Sequence, residues 1–229
     1  YWDSILKNLQ PFLEDKTLLQ NIPTYREPQY HYQTLPNSDN LKLYGYFQSD
    51  KYFLEYLPQI TQLLGFPLLR KGIKDRHASL LYIDNDSVTC SIHFRITNYR
   101  ELEDYHPVAD LQYYQEAVTK METHYKNVPI RYLYFCQPED TEEVASIIKE
   151  LNVNATNIPE LSDWEQMLLM SCCDAHIIAN STFSWWASYL NDNENKKIVY
   201  PDKWFGSKAG HDAHDLVASL DLYTLGGVG

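Results

Sequence analysis

"AHIIANSTFSWWASYL", residues 175–190, decides the fold. An apolar run, 175–179, stops at Asn180. Small and hydroxylated residues follow, and then two tryptophans with an apolar tail. A strand, a tight turn and a helix account for this order. Ser181, Thr182 and Ser184 are residue types that start helices, because their hydroxyls can accept from the first free amides. Those amides point outward beside the positive end of the helix dipole, which makes the turn an anion site. The bland alternative is that Asn180, Ser181, Thr182, Phe183 and Ser184 only cap the helix.

Working outward, "SVTCSIHF" (87–94) and "IRYLYF" (130–135) read as strands, and "KIVY" (197–200) as a last strand ended by Pro201. Leu111, Tyr114, Ala117, Val118 and Met121 fall at helical spacing in 110–125. Residues 140–151 place Val144, Ile147, Ile148 and Leu151 on one face, with Asp140 and Glu143 in capping-box spacing. Residues 162–173 open in the same way with Ser162 and Glu165. This alternation predicts an α/β fold with a parallel sheet covered on both faces. Ligands bind such sheets beyond the carboxyl ends of the strands. Residues 2–13 and 52–66 look helical despite internal prolines, and 40–48 looks like a strand with a turn. "DND" (84–86) marks a boundary, so the expected domains are 1–84 and 85–229.

The 229 residues suffice for one large domain or two small ones. A formal charge of -12 repels phosphate backbones and argues against a nucleic-acid partner. The 19 tyrosines read first as packing, with sugar-contacting surfaces as the second reading. Cys90, Cys136, Cys172 and Cys173 lack metal-ligand spacing and read as reduced and structural. No apolar run reaches membrane-span length and no signal peptide is visible, so a cytoplasmic setting is expected. The chain opens at Tyr1 and reads as a fragment, whose missing start could hold an anchor.

A second anion-binding loop follows the first of these strands, in "IHFRITNYR" (92–100). His93 and Arg95 share a face of the strand end, and an arginine there can grip phosphate bidentately. The alternative is a surface arginine paired with Glu101, Glu103 or Asp104. Two such loops at the strand ends of one sheet point to a nucleotide diphosphate. No P-loop, dinucleotide fingerprint, nucleophile elbow or zinc motif is present. The only D-x-D is the 84–86 turn, so no metal site is expected. Trp185 and Trp186 are assigned to packing.

These residues resemble a known family. Residues 163–190, "DWEQMLLMSCCDAHIIANSTFSWWASYL", closely resemble the C-terminal signature of the α-1,2-fucosyltransferases of glycosyltransferase family 11. "LYGYFQSDKYF" (43–53), "IHFRITNY" (92–99) and "YPDKWF" (200–205) resemble further segments of that family, in the same order. The resemblance implies a GT-B-like fold, with 85–229 a Rossmann-like donor domain and 1–84 a partial acceptor-side domain. It implies GDP-fucose as donor, with no cofactor or bound metal, inversion at the anomeric carbon, and α-1,2 transfer to a galactose-type glycan acceptor. Arg95, His93 and Glu103 are the implied catalytic residues; Glu103 is favoured as base over Glu101 and Asp104, with His93 its rival. Asn98, Asp163, Asn180, Ser181, Thr182, Phe183 and Ser184 are the implied donor-binding residues. Gln48, Ser49 and Tyr52 would border the acceptor. The family's second arginine is Ile96 here, its aspartate is Asn98, and its "FSDD" has become "FCQPED" (135–140). Transfer from another sugar nucleotide, or glycan binding without catalysis, are the competing readings.

Overall fold

The computed structural model describes residues 1–15, 17, 20–81, 86–158 and 161–228. They divide into two compact units, Tyr1–Leu68 with His211–Ser219, and Leu69–Gly210 with Leu220–Gly229. The expected boundary at 84/85 lies outside the described residues. The observed division falls after Leu68, and a short C-terminal segment returns to the first unit.

The first unit holds β1 (Thr24–Arg26) and β2 (Lys42–Tyr44), paired in parallel. The helix expected over 2–13 is a short 3-10 helix at Lys7–Phe12, and that expected over 52–66 is α1 (Leu57–Leu63), with Pro58 in its first turn. Proline is tolerated there because the first amides have no partner within the helix. Asp215 organises this unit by accepting from the Tyr32 amide (2.6 Å) and from Lys51 Nζ (2.7 Å). The Lys51 contact, then the Tyr32 amide, hold its carboxyl below the usual range. Ser49 caps a turn at Asp50–Tyr52, and the Tyr52 hydroxyl accepts from the Gln33 amide at 3.0 Å. α2 (Phe66–Arg76) carries the chain into the second unit, followed there by α3 (Ala78–Leu81).

The second unit is an α/β fold around one parallel sheet. Its strands are β3 (Val88–His93), β4 (Ile130–Phe135), β5 (Ala155–Asn157), β6 (Ala175–Ile177) and β7 (Lys197–Val199). They lie in the order β5-β4-β3-β6-β7. The chain moves outward from β3 through β4 to β5, then returns to the other side of β3. This reversal is the doubly wound, Rossmann-like pattern. β5 was not expected: Ala-Thr-Asn is too short and polar to announce a strand, and only its register beside Tyr132–Tyr134 defines it.

α4 (Thr97–Arg100) and α5 (Leu111–His124) follow β3, and α6 (Thr141–Leu151) follows β4. α7 (Asp163–Met170) precedes β6, and α8 (Thr182–Tyr189) follows it. Alternation along β3 sends Cys90, Ile92 and Phe94 into a core with Tyr113, Tyr114, Ala117, Val118 and Met121 of α5. Ser91 and His93 face the other way, and there His93 meets Ser184 of α8. Trp185 is buried and stacks on Tyr189 at 4.6 Å, as a packing residue would. α9 (His214–Val217) belongs to the returning segment of the first unit.

The second face is partly polar. The Asn191 Nδ2 group, which only donates, lies 2.8 Å from His176 Nε2, so Nε2 accepts and the proton sits on Nδ1, 2.8 Å from Ser91 Oγ. Burial first, then the Lys196 and Arg70 charges, pull the His176 pKa down to about 3 from 6.5.

Ile92 is fully buried near the carboxyl end of the middle strand. Ile92→Ala should destabilise the chain by about 2–5 kcal/mol, read as a lower urea midpoint with unchanged slope.

Candidate functional site

The reversal of strand order places the carboxyl ends of β3 and β6 side by side, with Cys90, Ser91 and Ile92 opposite Ala175, His176 and Ile177. Both loops expected to bind an anion leave from these ends. Two buried tyrosines of α5 satisfy the carbonyls exposed where the strands part. Tyr114 donates to His93 O (3.0 Å), and Tyr113 lies 2.5 Å from Ile178 O and 3.3 Å from Val199 O. Helical spacing marks Tyr114 only as a packing residue and does not single out Tyr113.

After β3, Arg95 is half-buried. Its guanidinium lies 5.6 Å from the Tyr99 ring centroid, and it forms no ion pair among the described residues. The expected alternative, pairing with Glu101, Glu103 or Asp104, is therefore not what forms. Ile96, where the family has an arginine, is 3% exposed and joins the core. α4 is pinned from β4's side: Asp140, 2% exposed, accepts from the Thr97 amide at 3.4 Å and from the Thr97 hydroxyl. The capping box expected for Asp140 and Glu143 does not form. Asp140 turns to the two Thr97 donors, and Glu143 pairs with Arg100.

After β6, Asn180 is 2% exposed. Its Nδ2 donates to Pro107 O and Trp204 O, both at 2.9 Å, which ties three loops together. Ser181 caps α8 by accepting from the Phe183 amide at 3.3 Å. Thr182 is exposed at the helix start, and Phe183 lies 5.2 Å from the His93 ring. Ser184 Oγ has one proton and lies 3.2 Å from Ser181 O and 2.9 Å from His93 Nδ1. Donation to the carbonyl leaves the oxygen to accept from His93 Nδ1–H.

His93 is thereby recast. Burial, then the Arg95 charge, lower its pKa to about 3 from 6.5. It stays neutral and braces α8, and so weak a base is not suited to take a hydroxyl proton. Tyr99 is the unforeseen member of the site. Its hydroxyl donates to Asn180 O at 3.1 Å, which joins the two loops.

The two other expected donor-binding residues lie on α4 and α7. Asn98 is exposed on α4. Asp163 opens α7, where its Oδ1 accepts from the Trp164 amide at 2.7 Å. Glu103 is exposed and lines a cleft of about 320 Å³ with Pro107, Asp110, Asn180, Pro201 and Lys203. Asp104 is taken up by Lys208. Gly206 presses on this segment: a Cβ there would lie 2.2 Å from Asp104 O, while its amide donates to Tyr105 O at 2.9 Å. No cluster of three or more His, Cys, Asp or Glu side chains able to hold a metal ion occurs among the described residues. Asp84 and Asn85 of the D-x-D lie outside them. No described helix is long and apolar enough to cross a membrane.

Residues 5–212 match the family model described as glycosyl transferase family 11. An Escherichia coli protein, the O-antigen biosynthesis glycosyltransferase WbnK, is 33% identical over 178 residues, covering 71% of this chain and 55% of its own length. An Escherichia coli α-1,2-colitosyltransferase is 25% identical over 177 residues, covering 72% and 57%. The chain thus spans little more than half the length of these relatives. Among solved structures, an arginine-to-lysine mutant of Arabidopsis thaliana FUT1 with GDP aligns over 69% of this chain and 41% of its own, at 14% identity and a TM-score of 0.37. A β-Kdo 2,7 transferase, KpsC of Thermosulfurimonas dismutans, aligns over 94% and 85%, at 12% identity and a TM-score of 0.33. Likenesses this distant bear on neither donor nor linkage.

The two buried histidines make stability depend on pH. Each has a folded pKa near 3 against 6.5 when free, so the unfolded chain binds more protons between those values. Stability should be full above pH 6.5 and fall as the pH drops toward 3, each histidine adding a slope approaching ~1.4 kcal/mol per pH unit. Urea titrations at several pH values check this, and His176→Gln should flatten the slope by one proton's worth.

Proposed function

Because the chain belongs to glycosyl transferase family 11, we propose that it supplies the donor site of an inverting, metal-independent transferase. It moves L-fucose from GDP-fucose to a galactose-type hydroxyl of a glycan in α-1,2 linkage. The observation that carries this reading is Arg95, without an ion pair among the described residues, against Tyr99, whose hydroxyl bonds Asn180 O in the loop that leads into α8 at the strand-order reversal.

Displacement at the anomeric carbon forms a bond from the acceptor oxygen as the bond to the GDP phosphate breaks. The electron pair leaves with GDP, and the acceptor proton goes to a base. Arg95 and the first amides of α8 offset the charge that develops on the leaving diphosphate. Both are held in place before reaction, Arg95 beside Tyr99 and α8 by Ser181, Ser184 and His93. A fixed donor of this kind contributes about 3–4 kcal/mol to transition-state stabilisation. Glu103 serves as the base: it is exposed, lines the cleft and forms no ion pair among the described residues. Asp104, bound to Lys208, is less free to do so.

A second donor has support of its own, since one relative's name assigns it α-1,2-colitosyl transfer. A colitosyl nucleotide would place the same diphosphate on the same groups.

Thermal stability with GDP, GDP-fucose and UDP, with and without EDTA, tests the donor. GDP at a hundredfold excess over its dissociation constant should add about 2.7 kcal/mol, unaffected by EDTA. A shift with UDP alone, or one abolished by EDTA, would overturn the reading. In transfer assays that compare fucosyl and colitosyl donors, Arg95→Ala should lower turnover at least about a hundredfold.

A further inference from the structure

Arg95 carries the proposed chemistry, and the side chain that faces its guanidinium is a ring. That ring is Tyr99, four residues along the chain, at 5.6 Å. Tyr99 also bonds α4 to the loop after β6, from its hydroxyl to Asn180 O at 3.1 Å. The ring stacks on His106 at 5.0 Å and 24°. Below it, α4 is anchored by Asp140 through Thr97, and by the Tyr99 and Arg100 amides, which donate to Ile96 O at 2.9 and 3.0 Å. The partner loop is equally fixed, because Asn180 spends both amide protons on Pro107 O and Trp204 O. Tyr99 therefore joins two stiff pieces. Its hydroxyl sets their spacing, and its ring faces the arginine.

We propose that Tyr99 is the positioning residue of the diphosphate site: its ring orients Arg95, and its hydroxyl holds that arginine at a set distance from the first turn of α8, so that both engage the same leaving diphosphate. The role rests on the donor reading above. A face-on contact with a cation restricts the guanidinium without consuming its N–H donors, which stay available for phosphate oxygens. An aspartate or glutamate in the same place would order Arg95 but also neutralise it.

Two measurements on this chain separate the two ideas. The first is GDP affinity for wild type, Tyr99→Phe, Tyr99→Leu, Arg95→Ala and the Arg95→Ala/Tyr99→Leu double variant. Tyr99→Leu should weaken GDP binding about tenfold. Tyr99→Phe, which keeps the ring, should lose less. The Tyr99→Leu loss should vanish in the Arg95→Ala background, because the ring acts through the arginine. A loss that persists undiminished in that background would mean a merely structural role and overturn the proposal. So would wild-type affinity in Tyr99→Leu when Arg95→Ala has lost binding. The second measurement, 15N relaxation of the Arg95 Nε–H group in the ligand-free chain, does not depend on the nucleotide. The group should be ordered in wild type and Tyr99→Phe and mobile in Tyr99→Leu. An Arg95 that stays ordered in Tyr99→Leu would sink the proposal. Failure of wild type to bind GDP would end the donor reading and leave the relaxation result to judge Tyr99.

Discussion

Pairing of β3 with β6 is the constraint on which the rest of the second unit depends. Once Cys90, Ser91 and Ile92 lie against Ala175, His176 and Ile177, the connections from β3 and β6 must diverge. α5 packs on the Cys90/Ile92 face, while α8 meets His93 on the other. Diverging connections leave a crevice, which is why doubly wound sheets bind ligands there. The divergence also strips strand-end carbonyls of ladder partners. Tyr113 and Tyr114 satisfy them from within the core, so the ends of β3 and β6 stay fixed.

The two loops owe their shape to buried hydrogen bonds more than to apolar contact. Asp140 holds Thr97, Asn180 holds Pro107 and Trp204, and His93 holds Ser184. A buried polar group is costly unless its partners are in place, so such bonds select one conformation over its near neighbours. Arg95 is the contrasting case, a half-buried cation left without an ion pair among the described residues. A fixed frame around an unspent charge is what stabilisation of a leaving diphosphate requires, since no reorganisation is then needed as charge develops.

Residue character made some of this legible in advance. Ile92, Leu133, Ile177 and Ile198 lie in apolar β-type runs, and each is fully buried in a strand. The Asn180–Ser184 turn and the His93–Arg95 strand end were visible as anion-friendly residue types at strand ends. Asp140 was misread, because capping-box spacing is a local signal and Thr97, 43 residues away, offered two donors at once. β5 was missed for a related reason: Ala155–Asn157 has no strand character apart from its neighbour Tyr132–Tyr134.

By itself, the amino-acid sequence determined the order of the second unit's strands and helices apart from β5, the parallel sheet and the two loops of anion-friendly residue types. These follow from periodicity and side-chain type, which act within a few residues. Only the tertiary structure decided that β6 returns beside β3, that His93 is a neutral brace, and that Tyr99 spans the gap. Each of those depends on which distant groups meet, and burial and hydrogen-bond satisfaction are properties of the packed chain, not of any one stretch of it.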